Sequence, residues 1–360
     1  MKIIQICHSL RRGGAERLVL QLTNAYEKSG HQIFIITLED KNEYGDLSKG
    51  ISIQPLSIDG LGKWPYCVPR FVMRLRDVIK KINPDVIECH LRTDCLVTAF
   101  GRSDIPTVRV FHSRVSEGRW RYAESLSTRL IGGHSIAVSE SVRSDVEKKL
   151  FLRNVTTITN GIDIDLFPFY ENKIRSSGPV IGVLGTICWT KRPDLALNAF
   201  AQLTRNFPNA TLKFIGEGPL KDKTVSMAQE RGLADRVLFA GQVAEVSRAL
   251  EGVNVLWQLS EHEGLPLSIA EAMSSGIPAV GHDVMGICDV IVDGVTGYLV
   301  PKENINMVVE KTETLLSSSE LLIKFSNAAR YHVEEKFNIN RMADEHLNIL
   351  QRVVLQNNKK

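Results

Sequence analysis

The sequence is poor in the patterns that mark secreted, metal-binding and membrane-spanning proteins. Its 360 residues include six cysteines, at positions 7, 67, 89, 95, 188 and 288, which form neither a C-x-x-C pair nor a zinc-type spacing. Scattered cysteines of this kind are typical of reduced thiols in a cytoplasmic protein. No apolar run reaches about 18 residues, and the apolar segment at the N-terminus is too short for a signal peptide. The composition, 43% hydrophobic and 24% charged, is that of a globular protein long enough for two domains.

Net charge is distributed unevenly along the chain, with the basic excess in the first half. Residues 1–163 hold 24 Lys and Arg against 18 Asp and Glu, a net charge of +6, and the remainder holds 20 against 23, a net charge of −3. The stretches 70–82 and 114–130 carry much of the basic excess. Each is either a solvated helix face or a surface that attracts anionic lipid headgroups or a phosphate-bearing acceptor. Arg119, Trp120, Arg121 and Tyr122 mix cations with aromatic rings, which suits a membrane interface. No nucleic-acid-binding signature is present, so no nucleic-acid partner is expected.

Short apolar runs alternate with amphipathic stretches along most of the chain. In the first half the strand-like runs are 2–7, 32–38, 85–89, 107–112, 135–139 and 155–159. A second series follows at 180–185, 211–216, 236–241, 253–257 and 277–281, and the pattern is helical beyond about residue 303. Uninterrupted apolar strands that alternate with helices indicate parallel sheets covered on both faces. The predicted fold class is therefore α/β, with two Rossmann-like, doubly wound domains.

The alternation breaks at residues 160–179, which are polar, rich in turn residues and aperiodic. Such a segment is typical of an interdomain linker. We expect an N-terminal domain at 1–163, a linker at 164–178, a second domain at 179–336 and a C-terminal helix at 337–360. Two domains of this type imply a cleft between them, and ligands bind such sheets beyond the carboxyl ends of the strands. The loops that follow the strands are therefore the places to look for chemistry.

One such loop leads into a short helix in the segment SEHEGLPLSIAEAMSSGIPAV, residues 260–280. Pro266 suits the first turn of a helix, and Gly276 is a plausible residue at its end. The N–H groups near Leu267 and Ser268 have no partner within the helix, and they lie at the positive end of its dipole. This helix start is therefore expected to bind an anion such as phosphate.

Two carboxylates flank this anion site. Glu263 lies in the loop, and Glu271 lies roughly 7 Å along the helix axis from Pro266. Carboxylates accept hydrogen bonds well and repel phosphate, so hydroxyl-rich groups are expected on both sides of the anion. A nucleotide sugar has that arrangement of ribose, diphosphate and sugar. The alternative is a solvated loop acid and an ordinary helix residue.

A pair of cations precedes another helix start. Lys191 and Arg192 come directly before Pro193, which suits the first turn of a helix. Cations at this place oppose the helix dipole unless an anion lies between them and the helix. They would compensate the charge of a diphosphate leaving group, since the sequence contains no evident metal site. The alternative is a surface Lys-Arg pair.

Glycines and small residues follow three further strands. Gly13 and Gly14 open a helix after the first strand, where they allow close backbone approach to a ligand. They do not form the G-x-G-x-x-G dinucleotide fingerprint. Gly216 begins a glycine-rich turn, and Val243 follows a later strand where it could meet a nucleotide base. Each of these segments could instead be a simple turn.

Histidine and aspartate residues supply the remaining candidates. His112 ends the strand-like run 107–112 and His90 follows the run 85–89, and either could be functional or structural. Asp163 and Asp165 have D-x-D spacing, but they follow Asn160-Gly161, where a turn with Asp side chains bonded to the backbone is favoured over a metal site. No metal site and no cofactor are therefore expected.

The set of motifs resembles that of the retaining glycosyltransferases of family 4, which have the GT-B fold. The matching segments are GGAER (13–17), TNGID (159–163), TKRPDLALNAF (190–200), GEGPL (216–220), LFAGQV (238–243), EGLPLSIAEAMSSGIPAV (263–280) and DVIVDGVTGYLV (289–300). They cover nearly the whole chain. The GGAER and EGLP variants look like those of enzymes that build bacterial surface glycans. The C-terminal helix would in this family pack back toward the first domain.

The resemblance implies roles for the matching residues. Glu263 would contact the donor sugar hydroxyls and Glu271 the ribose, and the backbone N–H groups of Leu267 and Ser268 would bind the diphosphate. Lys191 would stabilise the departing charge.

Three further residues receive roles in the same way. Gly14 would lie against the donor phosphate or sugar, His112 would bond the donor sugar near the reacting carbon, and Val243 would lie by the base. The predicted catalytic residues are Glu263, Lys191 and His112, and the predicted donor-binding residues are Gly13, Gly14, Arg192, Gly216, Val243, Leu267, Ser268 and Glu271.

One departure from the family concerns an arginine just after the first strand of the second domain. Gly185-Thr186-Ile187 stands there, so Arg192 or another cation substitutes, or the diphosphate is stabilised less.

The expected activity is retaining, metal-independent transfer of a sugar from a nucleotide-diphosphate donor, with UDP favoured by family frequency. The expected acceptor is a glycan or a polyprenyl-linked glycan in bacterial surface polysaccharide synthesis. The expected location is the cytoplasm, with peripheral binding to the anionic inner face of the plasma membrane through the first domain. The alternatives are a UDP-sugar 2-epimerase of the same fold and a non-catalytic protein that binds nucleotide sugars.

Overall fold

The structure, a computed structural model, describes residues 1–11, 13–57, 68–90, 104–115, 118, 120–243 and 245–358. The chain divides into two compact units. The first comprises Met1–Gly161 and Ile339–Lys360, and the second comprises Ile162–Asn338. The boundary after the first sheet therefore lies two residues before the expected position.

The first unit is built on a parallel sheet. Its strands in the described residues are β1 (Lys2–Cys7), β2 (Gln32–Thr37), β3 (Ser52–Pro55), β4 (Val86–His90), β5 (Thr107–Phe111), β6 (Ser135–Ala137) and β7 (Val155–Thr157). They pair in the order β3-β2-β1-β4-β5-β6-β7. Its α-helices in the described part of the chain are Gly14–Lys28, Val68–Ile82, Trp120–Ile131, Glu140–Leu150 and Ile339–Asn357. Every residue of β4 and β5 is buried, as expected for apolar strands covered on both faces.

The second unit repeats this design. Its strands in the described residues are β8 (Val180–Leu184), β9 (Thr211–Ile215), β10 (Val237–Phe239), β11 (Val255–Gln258), β12 (Ala279–His282) and β13 (Gly297–Val300). They form a parallel sheet in the order β10-β9-β8-β11-β12-β13. Its helices are Pro193–Leu203, Lys221–Glu230, Val246–Leu250, Leu267–Ser274, Ile305–Leu316 and Ser319–Lys336. The core around Phe200, Phe214 and Trp257 is fully buried. The prediction of two doubly wound α/β domains is confirmed.

Two edge strands were not predicted. β3 is only partly buried and alternates with exposed positions, so it lacks the apolar run that marks the central strands. β13 begins at Gly297, where an added Cβ would lie 2.1 Å from the Ala279 oxygen of β12. Glycine there permits the close backbone approach, although it reads in sequence as a strand breaker.

The segment expected to link the domains is packed into the second unit. Asn172 Nδ2 donates to the backbone oxygen of Asn254, and Asn254 Nδ2 donates to Asn172 Oδ1, both over 2.9 Å. Phe167, in the same segment, is buried. The polar composition of 164–178 therefore reflects specific side-chain hydrogen bonds.

The C-terminal helix Ile339–Asn357 is part of the first unit. His346 Nδ1, on this helix, lies 2.6 Å from Glu88 Oε1 in β4. Arg341 Nη2 also donates to the backbone oxygen of Thr159. Within the described residues, no helix combines the length and apolar character needed to cross a membrane.

The strand order of each sheet reverses at one point. In the first unit β2 pairs with one side of β1 and β4 with the other, so the order reverses between β1 and β4. In the second unit it reverses between β8 and β11. Loops at such a reversal separate from each other and leave a crevice beyond the strand ends. The loops after β1, β8 and β11, together with the helices into which they lead, contain most of the predicted site residues.

Candidate active site

The short helix after β11 begins where the sequence predicts. Helix Leu267–Ser274 has Pro266 as its N-cap residue rather than in its first turn, and the N–H of Ile269 donates to the Pro266 oxygen. Gly276 has φ +78° directly after the C-cap residue, a conformation that glycine adopts without strain. The first N–H groups, those of Leu267 and Ser268, have no acceptor within the helix. Such a helix start can bind an anion, and the expectation that this one binds a phosphate stays a prediction.

The two predicted catalytic groups of the second unit meet at this place. Lys191 Nζ donates to Glu263 Oε1 over 2.6 Å. The side chain of Lys191 is 21% exposed and that of Glu263 is 17% exposed. The loop carrying Glu263 is fixed because its N–H donates to the Met285 oxygen, and an added Cβ at Gly286 would lie 2.6 Å from the Glu263 oxygen. A positioned cation and carboxylate therefore lie together and remain accessible to solvent.

A residue that the sequence reasoning missed connects these elements. Gln258, the last residue of β11, is buried and donates from Nε2 to Glu263 Oε1 over 3.0 Å and to Ser260 Oγ over 2.8 Å. Its Oε1 accepts from Ser268 Oγ over 3.0 Å. Gln258 therefore ties the acidic loop to the first turn of the helix. The available signal was a polar side chain at the end of the apolar run 253–257.

Arg192 is engaged by carboxylates in the second unit. It has φ +51° before helix Pro193–Leu203, and Nη2 lies 2.9 Å from Asp194 Oδ2. Its Nη1 contacts Glu261 and lies 2.9 Å from Glu303 Oε1. Hydrogen bonding to Asp194, followed by the other two carboxylates, raises the pKa of Arg192. Three carboxylates compensate the charge of Arg192. The ion pair of Lys191 with Glu263, by contrast, is accessible to solvent. The prediction that Arg192 binds the donor stays a prediction.

Glu271 lies on the helix, four residues beyond Leu267. A separation of four residues places the two on one helix face. Glu271 is buried, with 6% of its surface exposed, so it is not an ordinary solvated helix residue.

Glycines allow the backbone segments at the ends of β8 and β9 to approach each other closely. Gly216 has φ +141°, and an added Cβ would lie 2.1 Å from the Gly185 oxygen. Gly185 has φ +131°, and an added Cβ would lie 3.4 Å from Lys191 Cε. A side chain at Gly216 would displace the backbone at Gly185, whereas at Gly185 it is the positive φ that favours glycine. Gly216 therefore has a packing role, and its binding to the donor stays a prediction. Val243, after β10, is partly exposed, and its contact with the base also stays a prediction.

The segment that lacks the family arginine, Gly185-Thr186-Ile187, contains one exposed and one buried side chain. Ile187 occupies the segment and is buried, with its N–H donating to the Glu217 oxygen and its oxygen accepting from Leu220. An added Cβ at Gly218 would lie 2.4 Å from the Ile187 oxygen.

In the first unit, two glycines open the helix after β1. Gly13 is the N-cap residue of helix Gly14–Lys28, and its N–H donates to Tyr44 Oη over 2.9 Å. Tyr44 donates in return to the Gly13 oxygen over 2.6 Å. An added Cβ at Gly14 would meet no described atom within 4 Å. Glycine at 14 is therefore not required by the surrounding described chain, which fits a position approached by a ligand.

The two candidate histidines of the first unit contact each other. His112 follows β5, and its Nε2 lies 3.0 Å from His90 Nδ1. Burial, followed by the neighbouring His90 and His346, lowers the pKa of His112 well below its usual value. His112 is therefore neutral near pH 7, and it can either donate or accept a hydrogen bond.

The D-x-D pair forms a turn. Asp163 Oδ1 accepts from the N–H of Asp165 over 3.3 Å, at the start of a short helical turn. In the described part of the chain, no group of three or more His, Cys, Asp and Glu side chains is arranged to hold a metal ion.

The basic stretches 70–82 and 114–130 correspond largely to helices Val68–Ile82 and Trp120–Ile131. Of the four residues proposed for a membrane interface, Arg119 and the side chain of Trp120 lie outside the described residues. Tyr122 is 67% exposed, and Arg121 lies over its ring at 5.0 Å.

Two family models match the chain, one over each half. The family model of Glycosyltransferase Family 4 matches residues 12–166, and that of glycosyl transferases group 1 matches residues 169–332. Together they account for most of the chain.

Two relatives illustrate the sequence similarity. A poly(ribitol-phosphate) alpha-N-acetylglucosaminyltransferase of Staphylococcus aureus is 28% identical over 215 residues, which span 59% of this chain and 43% of that protein. A GalNAc-alpha-(1->4)-GalNAc-alpha-(1->3)-diNAcBac-PP-undecaprenol alpha-1,4-N-acetyl-D-galactosaminyltransferase of Campylobacter jejuni is 24% identical over 98% of this chain and 99% of its own length.

A solved structure shares the fold. HepE of Anabaena, in complex with UDP and glucose, has a TM-score of 0.83 and 19% identity, covering 98% of this chain and 100% of that one. Two family models in tandem, two doubly wound units and this likeness lead to one conclusion. The chain belongs to the group 1 glycosyltransferases and has their GT-B fold.

Proposed function

We propose that this glycosyltransferase moves a sugar from a UDP-sugar to a glycan or polyprenyl-linked glycan in bacterial surface polysaccharide synthesis, with retention of the anomeric configuration. The observation that carries the proposal is the Lys191–Glu263 ion pair beside the start of helix Leu267–Ser274. The solved HepE structure holds UDP and glucose, and the Campylobacter relative is named for a polyprenol-linked substrate, which supports these choices of donor and acceptor.

The donor diphosphate would bind at the backbone N–H groups of Leu267 and Ser268. Its arrival gives Lys191 a stronger anionic partner, so Nζ would move from Glu263 to a phosphate oxygen. Glu263, still held by Gln258, would then accept hydrogen bonds from the donor sugar hydroxyls. The ion pair is partly exposed, so this exchange of partners is inexpensive compared with opening a buried pair.

The remaining predicted residues would complete the donor site. Glu271 would accept from the ribose hydroxyls, and Val243 would lie by the base. From the first unit, Gly14 would lie against the donor and His112 would bond the donor sugar. Gly13, Arg192 and Gly216 would support this site as further donor-binding positions.

The transfer step would break the bond between the anomeric carbon and the diphosphate oxygen. The electron pair goes to the diphosphate, where Lys191 and the helix amides stabilise the new charge. The acceptor oxygen attacks from the same face, and its proton goes to the departing phosphate oxygen. This step needs neither a resident metal nor a cofactor.

Incubation with UDP- and GDP-sugars, with and without a polyprenyl-diphosphate-linked glycan, tests the proposal. We expect release of UDP only when the acceptor is present, with the product linkage keeping the donor's anomeric configuration. Interconversion of the sugar without acceptor would instead identify a 2-epimerase, and tight binding without turnover would identify a non-catalytic binding protein. A thermal-shift comparison of UDP with GDP tests the choice of base.

We also propose that the first unit binds anionic membrane. Helix Trp120–Ile131 exposes Tyr122, Leu126 and Leu130 to 67%, 57% and 37%, and their spacing of four places them on one face. Arg121 and Arg129 lie on the same helix. An apolar stripe flanked by cations suits the boundary between headgroups and acyl chains.

Sedimentation with vesicles tests this second proposal. We expect binding to phosphatidylglycerol vesicles that weakens as salt rises, and little binding to phosphatidylcholine. Tyr122→Ser with Leu126→Ser should reduce the bound fraction, whereas Tyr331→Ser, also 66% exposed but in the second unit, should not. Equal binding by both variants would contradict the assignment to this face.

A further inference from the structure

A chain of buried polar groups runs from the C-terminal helix to His112, entirely within the first unit. Glu88 of β4 and His346 are 0% and 1% exposed, and His346 Nδ1 lies 2.6 Å from Glu88 Oε1. His90 Nε2 lies 3.5 Å from Glu88 Oε2, and His90 Nδ1 lies 3.0 Å from His112 Nε2. The activity proposed above assigns a role to His112 and none to the other three.

Other described neighbours of Glu88 also present donors to it. Gln5 Nε2 of β1 donates to Glu88 Oε2 over 3.0 Å, and Tyr26 Oη of helix Gly14–Lys28 lies 3.3 Å from the same oxygen. Burial by itself would raise the pKa of Glu88, but His346 and His90 outweigh it and hold the pKa well below its usual value. Glu88 is therefore an ionised carboxylate, which only accepts hydrogen bonds.

This charge determines which nitrogen of His90 carries a proton. A lone pair on His90 Nε2 would face a carboxylate oxygen at 3.5 Å, so a proton at Nε2 is favoured over a lone pair. The shorter contact of Glu88 is to His346. A neutral His90 ring with its proton on Nε2 has a lone pair on Nδ1.

The tautomer of His112 follows from that of His90. Because His90 Nδ1 accepts, His112 Nε2 must carry the proton that joins the two rings. His112 Nδ1 then has a lone pair. A neutral imidazole has one donor and one acceptor nitrogen, so fixing the first fixes the second.

We infer that Glu88 and His90 are positioning residues that hold His112 in the tautomer with its proton on Nε2, so that Nδ1 accepts a hydrogen bond from a hydroxyl of the donor sugar. The sugar contact rests on the proposed function, whereas the tautomer does not. The C-terminal helix takes part through His346, which compensates the carboxylate at the far end of the chain.

Imidazole ¹⁵N spectra of the ligand-free protein test the tautomer directly. The His112 signals are assigned by their loss in His112→Gln. We expect a protonated Nε2 and an unprotonated Nδ1 in the wild type. His90→Asn keeps an acceptor near the Nδ1 position and should preserve this pattern, whereas His90→Leu removes it and should give a mixture of tautomers. A proton on His112 Nδ1 in the wild type, or an unchanged pattern in His90→Leu, would overturn the inference.

Kinetics with UDP-glucose and UDP-N-acetylglucosamine test whether the tautomer of His112 affects sugar transfer. His90→Leu should lower kcat/KM for whichever UDP-sugar is turned over by about tenfold, the size of one lost hydrogen bond. His90→Asn should recover most of that loss, and thermal unfolding of both variants identifies any general loss of fold. Equal loss in the two variants, with fold intact, would contradict a positioning role. If no UDP-sugar is turned over, the proposed function fails while the spectra still decide the tautomer.

Discussion

Each unit contains a carboxylate held by a nitrogen at 2.6 Å, but the two pairs differ in burial. Glu88 and His346 of the first unit are 0% and 1% exposed, whereas Glu263 and Lys191 of the second are 17% and 21% exposed. Buried ions lose their hydration and depend on every partner they have. Partly exposed ions keep some water and can exchange partners at small cost.

The comparison separates two uses of the same chemistry. The Glu88 pair joins a strand of the first unit to its C-terminal helix and cannot open without leaving a charge in the core. The Lys191 pair lies beside the start of helix Leu267–Ser274, where the proposed donor diphosphate would replace one partner. Burial, rather than the distance between the charges, distinguishes the two pairs.

The largest expected effect is on the buried pair. His346→Leu removes the shortest contact of the Glu88 carboxylate in the core, and we expect it to lower the free energy of unfolding by about 3–5 kcal/mol. Urea unfolding measures this change. The double variant Glu88→Leu with His346→Leu should recover part of the loss because no buried charge remains. A loss below about 1 kcal/mol in the single variant would remove the contrast between the two pairs.

For the partly exposed pair of Lys191 and Glu263, we expect a small effect on stability and a large effect on turnover. Lys191→Ala should change the free energy of unfolding by less than about 1 kcal/mol. It should lower kcat by about 10²–10³-fold, as for other groups that stabilise developing charge. Lys302→Ala is the matched control, because Lys302 contacts Glu261 in the same unit and has no assigned role at the donor. Equal kinetic losses in the two variants would contradict the role of Lys191.

A third test concerns the two carboxylates around the helix start. Glu271→Ala should weaken UDP binding by about tenfold to a hundredfold, because it removes a charged acceptor of the ribose hydroxyls. Glu263→Gln is the matched control and should leave UDP affinity nearly unchanged, since UDP has no donor sugar. Isothermal titration calorimetry measures both. Unchanged UDP affinity in Glu271→Ala would remove the ribose assignment.

The smallest expected effect is the pH dependence of the buried pair. The pKa of Glu88 is lower in the folded protein than its usual value of 4.5, so the unfolded chain binds the proton first as pH falls. The stability from Glu88 is therefore complete above that value and is lost as pH falls through the folded pKa, by up to about 1.4 kcal/mol per pH unit. Glu88→Gln should show a shallower loss of stability between pH 4.5 and lower pH. Identical slopes would show that the Glu88 charge does not stabilise the fold.

Local sequence patterns predicted the elements well. The apolar runs located the central strands, because a strand buried on both faces has to be apolar along its length. Pro266, Gly276 and the glycines at 13 and 14 marked helix ends, because each acts through its own backbone. Edge strands β3 and β13 were missed because they do not bury both faces.

Side-chain partners across long separations were not predicted. Glu88 and His346 are 258 residues apart in sequence, and nothing in either local pattern relates them. A charged residue inside the apolar run 85–89 was the available signal that a buried partner was needed. Asp194, Glu261 and Glu303 compensate Arg192, and two of these acids are distant from it in sequence.

The sequence by itself determined two parallel α/β units and the start of the short helix at Leu267, because periodicity, glycine and proline act over a few neighbouring residues. Only the tertiary structure decided which charges are paired and how deeply. Pairing depends on where whole strands and helices pack, and burial sets whether an ion pair holds the fold or can open for a ligand.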